Sequence, residues 1–172
     1  GTCKARLIII CPDELKSKKV AALSPVVKQI TVLSFLTRHM QHPDHTLTSY
    51  NVKGAFLNTP VDDEKFYRLK TAKGFQAYFS DKYVTIQKQV YGLKESPMGF
   101  YLYARRKLLS SYWTSPSDSC LLIDKVDPTT ACVSHVDDFL VTSAKSTTIE
   151  DSLGPKFELN RQSSPRLYIG YE

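Results

Sequence analysis

Two adjacent carboxylates, Asp137 and Asp138, lie between the β-prone runs Ala131-Cys132-Val133-Ser134-His135-Val136 and Phe139-Leu140-Val141-Thr142. This places the pair at or beside the tight turn of a β-hairpin. Carboxylates held so close cannot be parted by a change of rotamer, so a divalent cation relieves their repulsion best. An ordinary Asp-Asp hairpin turn is the alternative. His135 flanks the pair, and its charge would change near neutral pH. His39, His42 and His45 recur at every third position and invite a metal of their own. That run passes a helix end through Pro43, and its spacing does not keep three imidazoles on one helical face, so a shared ion is not expected there.

The elements that must position these groups follow from local pattern. Lys4 to Cys11 reads as a strand, and Asp13 to Lys19 as a charged connector. Ser24-Pro25 is a helix start, with Ser as cap and Pro at the first helical position. Val26, Ile30, Leu33, Leu36 and Met40 then mark one buried face, and the helix ends before Pro43. Thr46 to Leu57 holds a strand leading into Gly54, with a tight exit at Asn58-Thr59-Pro60. Phe66–Leu69 and Tyr83–Lys88 are short strands separated by a loop near Lys73-Gly74. Ser96-Pro97 opens a second helix lined by Met98, Tyr101, Leu102, Leu108, Leu109 and Tyr112. Cys120–Ile123 pairs with the strand before Val136, across the turn at Asp127-Pro128. A short helix begins at Thr147 with Glu150 as its capping-box partner. Phe157–Leu159 and Arg166–Tyr171 read as a closing hairpin. Strands and helices interleave without βαβ regularity, which predicts an α+β fold: an antiparallel sheet with helices on one face.

Composition bounds the rest. The chain has 172 residues, 42% hydrophobic and 11% aromatic, enough for a folded core in one domain or one domain of two lobes. No apolar run approaches a membrane span, and no secretory signal opens the chain, so a cytoplasmic or nuclear rather than secreted protein is expected. The start at Gly1-Thr2-Cys3 reads as that of a fragment or processed product. Cys3, Cys11, Cys120 and Cys132 lie far apart with no C-x-x-C pair, which favours free buried thiols over a disulfide or metal framework. Cys120 and Cys132 facing each other across a hairpin would be the exception. Residues 1–115 carry 18 Lys/Arg against 8 Asp/Glu, a net +10, whereas residues 116–172 carry 5 against 9, a net −4. The basic part suits contact with phosphate, although charge alone favours a plain solvated surface.

Five segments in order carry a resemblance. They are Lys4-Ala5-Arg6-Leu7-Ile8, Asn51-Val52-Lys53-Gly54-Ala55-Phe56-Leu57-Asn58, Val90-Tyr91-Gly92-Leu93-Lys94-Glu95-Ser96-Pro97, the Val136-Asp137-Asp138 core, and Leu167-Tyr168-Ile169-Gly170-Tyr171-Glu172. In order and spacing the chain resembles the reverse transcriptase of copia-type LTR retrotransposons, whose motifs look like KARLVA, DVKTAFLNG, YGLKQAPR, YVDD and FLGIE. The resemblance runs from about Lys4 to Glu172. It implies a right-hand polymerase, with fingers elements over about 1–45 and 60–95 and palm elements over about 46–59 and 96–172. No thumb, ribonuclease H, integrase or protease segment is recognisable, so polyprotein domains would be missing.

The resemblance also implies roles. Template-directed nucleotide transfer uses two Mg²⁺ (or Mn²⁺) ions about 4 Å apart, held by carboxylates from two strands. Asp137 and Asp138 would be metal ligands, and the first catalytic aspartate of the family is Asn51 here. An amide oxygen can ligate a metal but brings no charge, so the ions would be held more weakly. Phe56 stands where an aromatic steric gate excludes a ribose 2′-hydroxyl; a plain core residue is the other reading. Lys4 and Arg6 match residues expected to hold the triphosphate or template, with surface basics on an edge strand as the alternative. Glu95 replaces a glutamine that approaches the nucleotide, and would repel the triphosphate unless protonated or paired, with Lys94 or Lys53 as candidate partners. Met98 replaces the arginine after the family proline, and His135 the tyrosine before Val-Asp-Asp. The implied partners are an RNA or DNA template-primer and deoxynucleotide triphosphates. The expected function is a reverse-transcriptase-like domain impaired or inactive in polymerisation. An active RNA-directed DNA polymerase core and a repurposed interaction module are the alternatives.

Overall fold

A computed structural model describes Ile8 and residues 24–61, 67–71, 73–74, 77–78, 80–145, 148–154, 156–166 and 168. Helix α1 spans Gln29–Met40, followed by strand β1 (Thr46–Val52) and a 3₁₀ turn at Phe56–Asn58. Strands β2 (Tyr67–Lys70) and β3 (Tyr83–Ile86) form a separate two-stranded ribbon. Then come α2 (Ser96–Leu108), β4 (Tyr112–Thr114), β5 (Leu121–Asp124), β6 (Ala131–His135), β7 (Asp138–Ser143), α3 (Thr148–Leu153) and β8 (Leu159–Ser163). The main sheet has six strands in the order β4-β5-β6-β7-β1-β8, every pair antiparallel. The α+β class is as expected.

The helices do not share one face. Tyr50, Val52, Phe139 and Val141 pack with Phe100, Ala104 and Leu108 of α2 and Ile149 and Leu153 of α3. Ala131, Val133 and Leu140 pack on the opposite face with Val32 and Phe35 of α1. The central strands β6 and β7 are thus covered on both sides, which explains why they read as continuous apolar runs instead of alternating ones. Cys120 and Cys132 are both free and fully buried, but they belong to opposite faces of the sheet, so they do not face each other across the hairpin. Cys3 and Cys11 lie outside the described residues.

The expected start and face of α1 both require correction. The helix begins at Gln29, not at Ser24-Pro25, because Val26 is engaged in an antiparallel bridge to His135 and Lys28 is extended. Val26, Ile30, Leu33 and Met40 are exposed, while Thr31, Val32 and Phe35 are buried. The helix carries apolar side chains on two stripes, and the stripe through Val32 and Phe35 meets the sheet. In α2 the start is within one residue of expectation, but Phe100, Ala104 and Leu108 form the buried stripe, whereas Leu102 and Leu109 are exposed. Tyr112, expected on that helix, is buried in β4. Strand β8 pairs with β1 as the sheet edge. Of the expected hairpin partner, only Arg166 and Tyr168 are described, and Thr147 of the expected capping box lies outside the described residues.

What starts α1 is a remote carboxylate. Lys28 has no capping side chain of its own, but Asp118, in the loop before β5, accepts the Lys28 N–H at 3.0 Å and the Thr31 hydroxyl at 2.6 Å. Its other oxygen accepts the Cys120 N–H at 2.9 Å. Asp118 is only 5% exposed. Burial alone would raise its pKa, but these hydrogen bonds and the Lys28 charge outweigh burial and hold it below the ordinary value. Asp118→Ala removes the acceptor and strands buried donors, so a loss of about 2–3 kcal/mol is expected at neutral pH. A depressed folded pKa stabilises the fold above the unfolded value of about 3.9 and ceases to do so as pH falls through the folded value. Urea unfolding at neutral pH and at successively lower pH should therefore show the gap between parent and variant narrowing in acid. A gap that is constant with pH would rule out the charged cap.

Candidate functional site

The turn between β6 and β7 has two loop residues, Val136 and Asp137. Val136 adopts φ 56°, a left-handed conformation that a β-branched residue rarely takes. Strain of this kind costs on the order of 1–2 kcal/mol and persists only where the surroundings over-determine it. Two features fasten the turn. The Asp137 carbonyl accepts the Val52 N–H at 2.9 Å, tying the turn to the end of β1. The buried Tyr168 hydroxyl lies 3.3 Å from the Val133 carbonyl and 3.2 Å from the Asp138 carbonyl, sharing its proton between β6 and β7. Burial, then the neighbouring Cys132 and Asp138, push the Tyr168 phenol well above its ordinary pKa, so it remains a donor.

The register draws a polar row across four strands. His135 on β6 faces Asp138 on β7, which faces Asn51 on β1, which faces Asn160 on β8. Directly opposite side chains on one face lie within contact reach. In this row Asn51 Nδ2 donates to Asp138 Oδ1 at 2.6 Å. The structure therefore brings Asn51 and Asp138 together, with Asp137 in the adjoining turn. His135 Nδ1 is buried without a hydrogen-bond partner among the described residues. Beside the row, Ser49, Asn51, Asp138, Asn160, Gln162 and Tyr168 line a cleft of about 350 Å³. Arg161 also lines it and supplies a positive charge.

Phe56 follows β1 through a turn in which Gly54 has φ 57°. The Asn58 side chain closes this turn on the Lys53 carbonyl at 3.0 Å. The half-buried Phe56 ring contacts Tyr91 (centroids 5.0 Å apart) and Phe100 (6.4 Å). Ile8 forms a parallel bridge to Tyr91, the ring partner of Phe56. Lys4 and Arg6 themselves lie outside the described residues. Glu95, just before α2, accepts a hydrogen bond from the Tyr67 hydroxyl. Lys53 instead pairs with Glu158 on the surface, so it is not the partner expected for Glu95.

Several neighbours of the site escaped sequence reasoning. Tyr168 had a signal, since it falls within the closing Leu-Tyr-Ile-Gly segment, but nothing local says that its hydroxyl reaches two other strands. Asn160 and Gln162 join the site only because β8 pairs with β1. The ribbon places Arg68 opposite Thr85 and Lys70 opposite Tyr83, all four exposed. Here the signal was plain alternation in Tyr67–Lys70. The His42–His45 pair sits on the turn before β1, at the other end of that strand.

Oxygen donors of Asp137 and Asp138 have the chemistry to hold a hard divalent cation. The Asn51 amide binds Asp138 through its nitrogen and also carries a neutral oxygen donor. No helix among the described residues is long and apolar enough to cross a membrane.

The family model described as "Reverse transcriptase (RNA-dependent DNA polymerase)" matches residues 2–172. The chain is also similar to the "Retrovirus-related Pol polyprotein from transposon RE2" of Arabidopsis thaliana, at 25% identity over 155 residues, 87% of this chain. The chain spans about a tenth (10%) of that relative's length. No solved structure gives a significant match. The match over almost the whole sequence, on a sheet whose register joins Asn51 to Asp138, shows that this chain belongs to the reverse transcriptase (RNA-dependent DNA polymerase) family.

Proposed function

We propose that this chain is the palm and fingers portion of a retrotransposon reverse transcriptase that still binds template-primer and has lost most of its polymerising power. The observation that carries this reading is the 2.6 Å hydrogen bond from Asn51 to Asp138. An aspartate at position 51 would put two carboxylates in direct contact, a cluster that needs a cation to be stable. The amide turns the same contact into an attraction, so the site is satisfied without metal. Asp137 and Asp138 would hold Mg²⁺ or Mn²⁺, with Asn51 as a neutral third position. When bound, such ions activate the primer hydroxyl and neutralise the triphosphate. With two carboxylates instead of three against that charge, binding and transition-state stabilisation both weaken. Phe56, held by Tyr91 and Phe100, would face the sugar of the incoming nucleotide, and Glu95 would lie near its phosphates. The Tyr67 hydroxyl donates a hydrogen bond to Glu95.

The ribbon supports the nucleic-acid half of the reading. Arg68 and Lys70 share its exposed face with Tyr83, and Lys82 Nζ lies 5.7 Å from the Tyr83 ring centroid. Cationic and aromatic groups together suit phosphate contact plus base stacking. Lys4 and Arg6 would add to the same basic lobe.

Two outcomes are expected. Asn51→Asp should destabilise the metal-free protein by about 1–3 kcal/mol at neutral pH, because a hydrogen bond becomes a repulsion. Mg²⁺ should restore the loss, whereas the melting temperature of the parent should respond weakly. In primer extension the parent should be undetectable, or slower than the carboxylate-restored site by roughly two orders of magnitude or more, given that even outer-sphere metal partners are worth about 10–100-fold. Asn51→Asp with Glu95→Gln should recover extension, and Asp137→Ala in that background should abolish it. Robust extension by the parent, indifferent to residue 51, would sink the three-carboxylate account.

Binding to a duplex should weaken with salt at about −0.9 in log–log slope per phosphate contact, and Arg68→Ala with Lys70→Ala should flatten the slope by about one to two units. A parent slope of zero would instead favour an interaction module that has lost nucleic acid.

A further inference from the structure

At the end of β1 opposite the carboxylates, the chain leaves α1 through successive three-residue turns. The His42 N–H donates to the His39 carbonyl and the His45 N–H to the His42 carbonyl, each at 3.0 Å. Hydrogen bonds of this spacing align every third side chain. The His42 and His45 rings accordingly stack, with centroids 4.9 Å apart and planes at 25°. The helical-face criterion therefore does not govern these residues, because α1 ends at Met40. Asp44 joins the pair: one ring nitrogen from each histidine and one Asp44 carboxylate oxygen all lie within 4.8 Å of one another. A tetrahedral ion with bonds of about 2.0–2.1 Å needs ligand atoms roughly 3.4 Å apart. The remaining closure falls on half-buried His42 and exposed Asp44, both free to adjust at the surface.

His45 is the fixed member. It is buried, with Nδ1 3.4 Å from the Thr142 hydroxyl and Nε2 3.4 Å from the Thr129 hydroxyl. Both contacts are long, so neither nitrogen is strongly committed. Whichever takes an ion, the other keeps a threonine oxygen, the kind of outer contact that orients metal-bound imidazoles. Those hydroxyls are themselves anchored, Thr129 to Asp127 and Thr142 to His39 Nδ1 at 2.9 Å.

We propose that His42, Asp44 and His45 bind one Zn²⁺ ion at the turn between α1 and β1, with water completing the coordination. Two imidazoles and a carboxylate suit zinc, whereas Mg²⁺ and Ca²⁺ favour all-oxygen sites. The ion would clip the end of α1 to the start of β1. Thr46 and Asn51 lie five strand residues apart, about 17 Å, so this site is separate from the carboxylate pair.

The test is a Zn²⁺ titration of the full chain, followed by the imidazole nitrogen resonances of its four histidines. His42 and His45 should shift together and saturate at one equivalent, with His135 unmoved. With Co²⁺ as the probe, weak visible bands are expected without the strong near-ultraviolet bands of thiolate ligation. His42→Asn and Asp44→Asn should each weaken Zn²⁺ binding by at least about tenfold. Asp44→Asn should leave the metal-free melting temperature unchanged, since its side chain is exposed. Asn51→Asp should leave the affinity as it was. Saturation that leaves the His42 and His45 resonances unmoved, or equal affinity in both variants, would overturn the proposal.

Discussion

The register of β6, β7 and β1 hangs on a two-residue turn. Side chains alternate faces along a strand, so a slip of one residue between β6 and β7 would move Asp138 to the face packed by α2 and α3. A tight turn forbids that slip, at the expense of placing Val136 in the left-handed region. The strain is tolerable because so much depends on the same few atoms. Val52 bonds to the Asp137 carbonyl, Tyr168 reaches across β6 and β7, and the buried Phe139-Leu140-Val141 run begins one residue later. Once this turn is set, Asn51 has no choice of neighbour.

That enforced neighbourhood makes the residue at position 51 decisive. Coulomb repulsion between two carboxylates in contact is several kcal/mol at an effective dielectric near 20, about as large as the whole stability margin of many small domains. A site with Asp at 51 must therefore recruit cations or protons. A site with Asn satisfies itself, since the amide donates where a second carboxylate would repel. On the function proposed above, asparagine at this position relieves the protein of a charge problem and, by the same act, weakens its reason to hold metal. Chemistry and stability are opposed at one atom pair.

How much of this was legible in the sequence depends on how far away the deciding partner lies. The β6–β7 hairpin was readable because two apolar runs flank the adjacent Asp137 and Asp138, all within a dozen residues. Asn51 could be matched to the hairpin only through family resemblance, since its partner Asp138 is 87 residues away. The start of α1 was misread for the same reason. Ser24-Pro25 is a sound local start signal, but Asp118, 90 residues from Lys28, supplies the acceptor that takes effect. The buried face of α1 was misread because Ile30, Leu33 and Met40 are as periodic as Val32 and Phe35. Only the sheet decides between two apolar stripes. Between His39 and His45 successive three-residue turns, not a 3.6-residue helix, set which rings meet.

The two departures from the family pattern share a physical form, although they lie on different elements. Asn51 finds Asp138, and Glu95 finds the Tyr67 hydroxyl. In each case a carboxylate accepts a hydrogen bond from a neutral donor of the protein itself. A neutral partner removes the local penalty of leaving a polar group unsatisfied, worth about 1–3 kcal/mol, without supplying the charge that would hold a ligand. On the proposed function, a fold that fills such places internally would no longer need metal or nucleotide to be stable. On the same reading, loss of ligand-dependent stability and loss of catalytic charge would be one change seen from two sides. This is why residues 51 and 95 must be reverted together before the contribution of either to catalysis can be read.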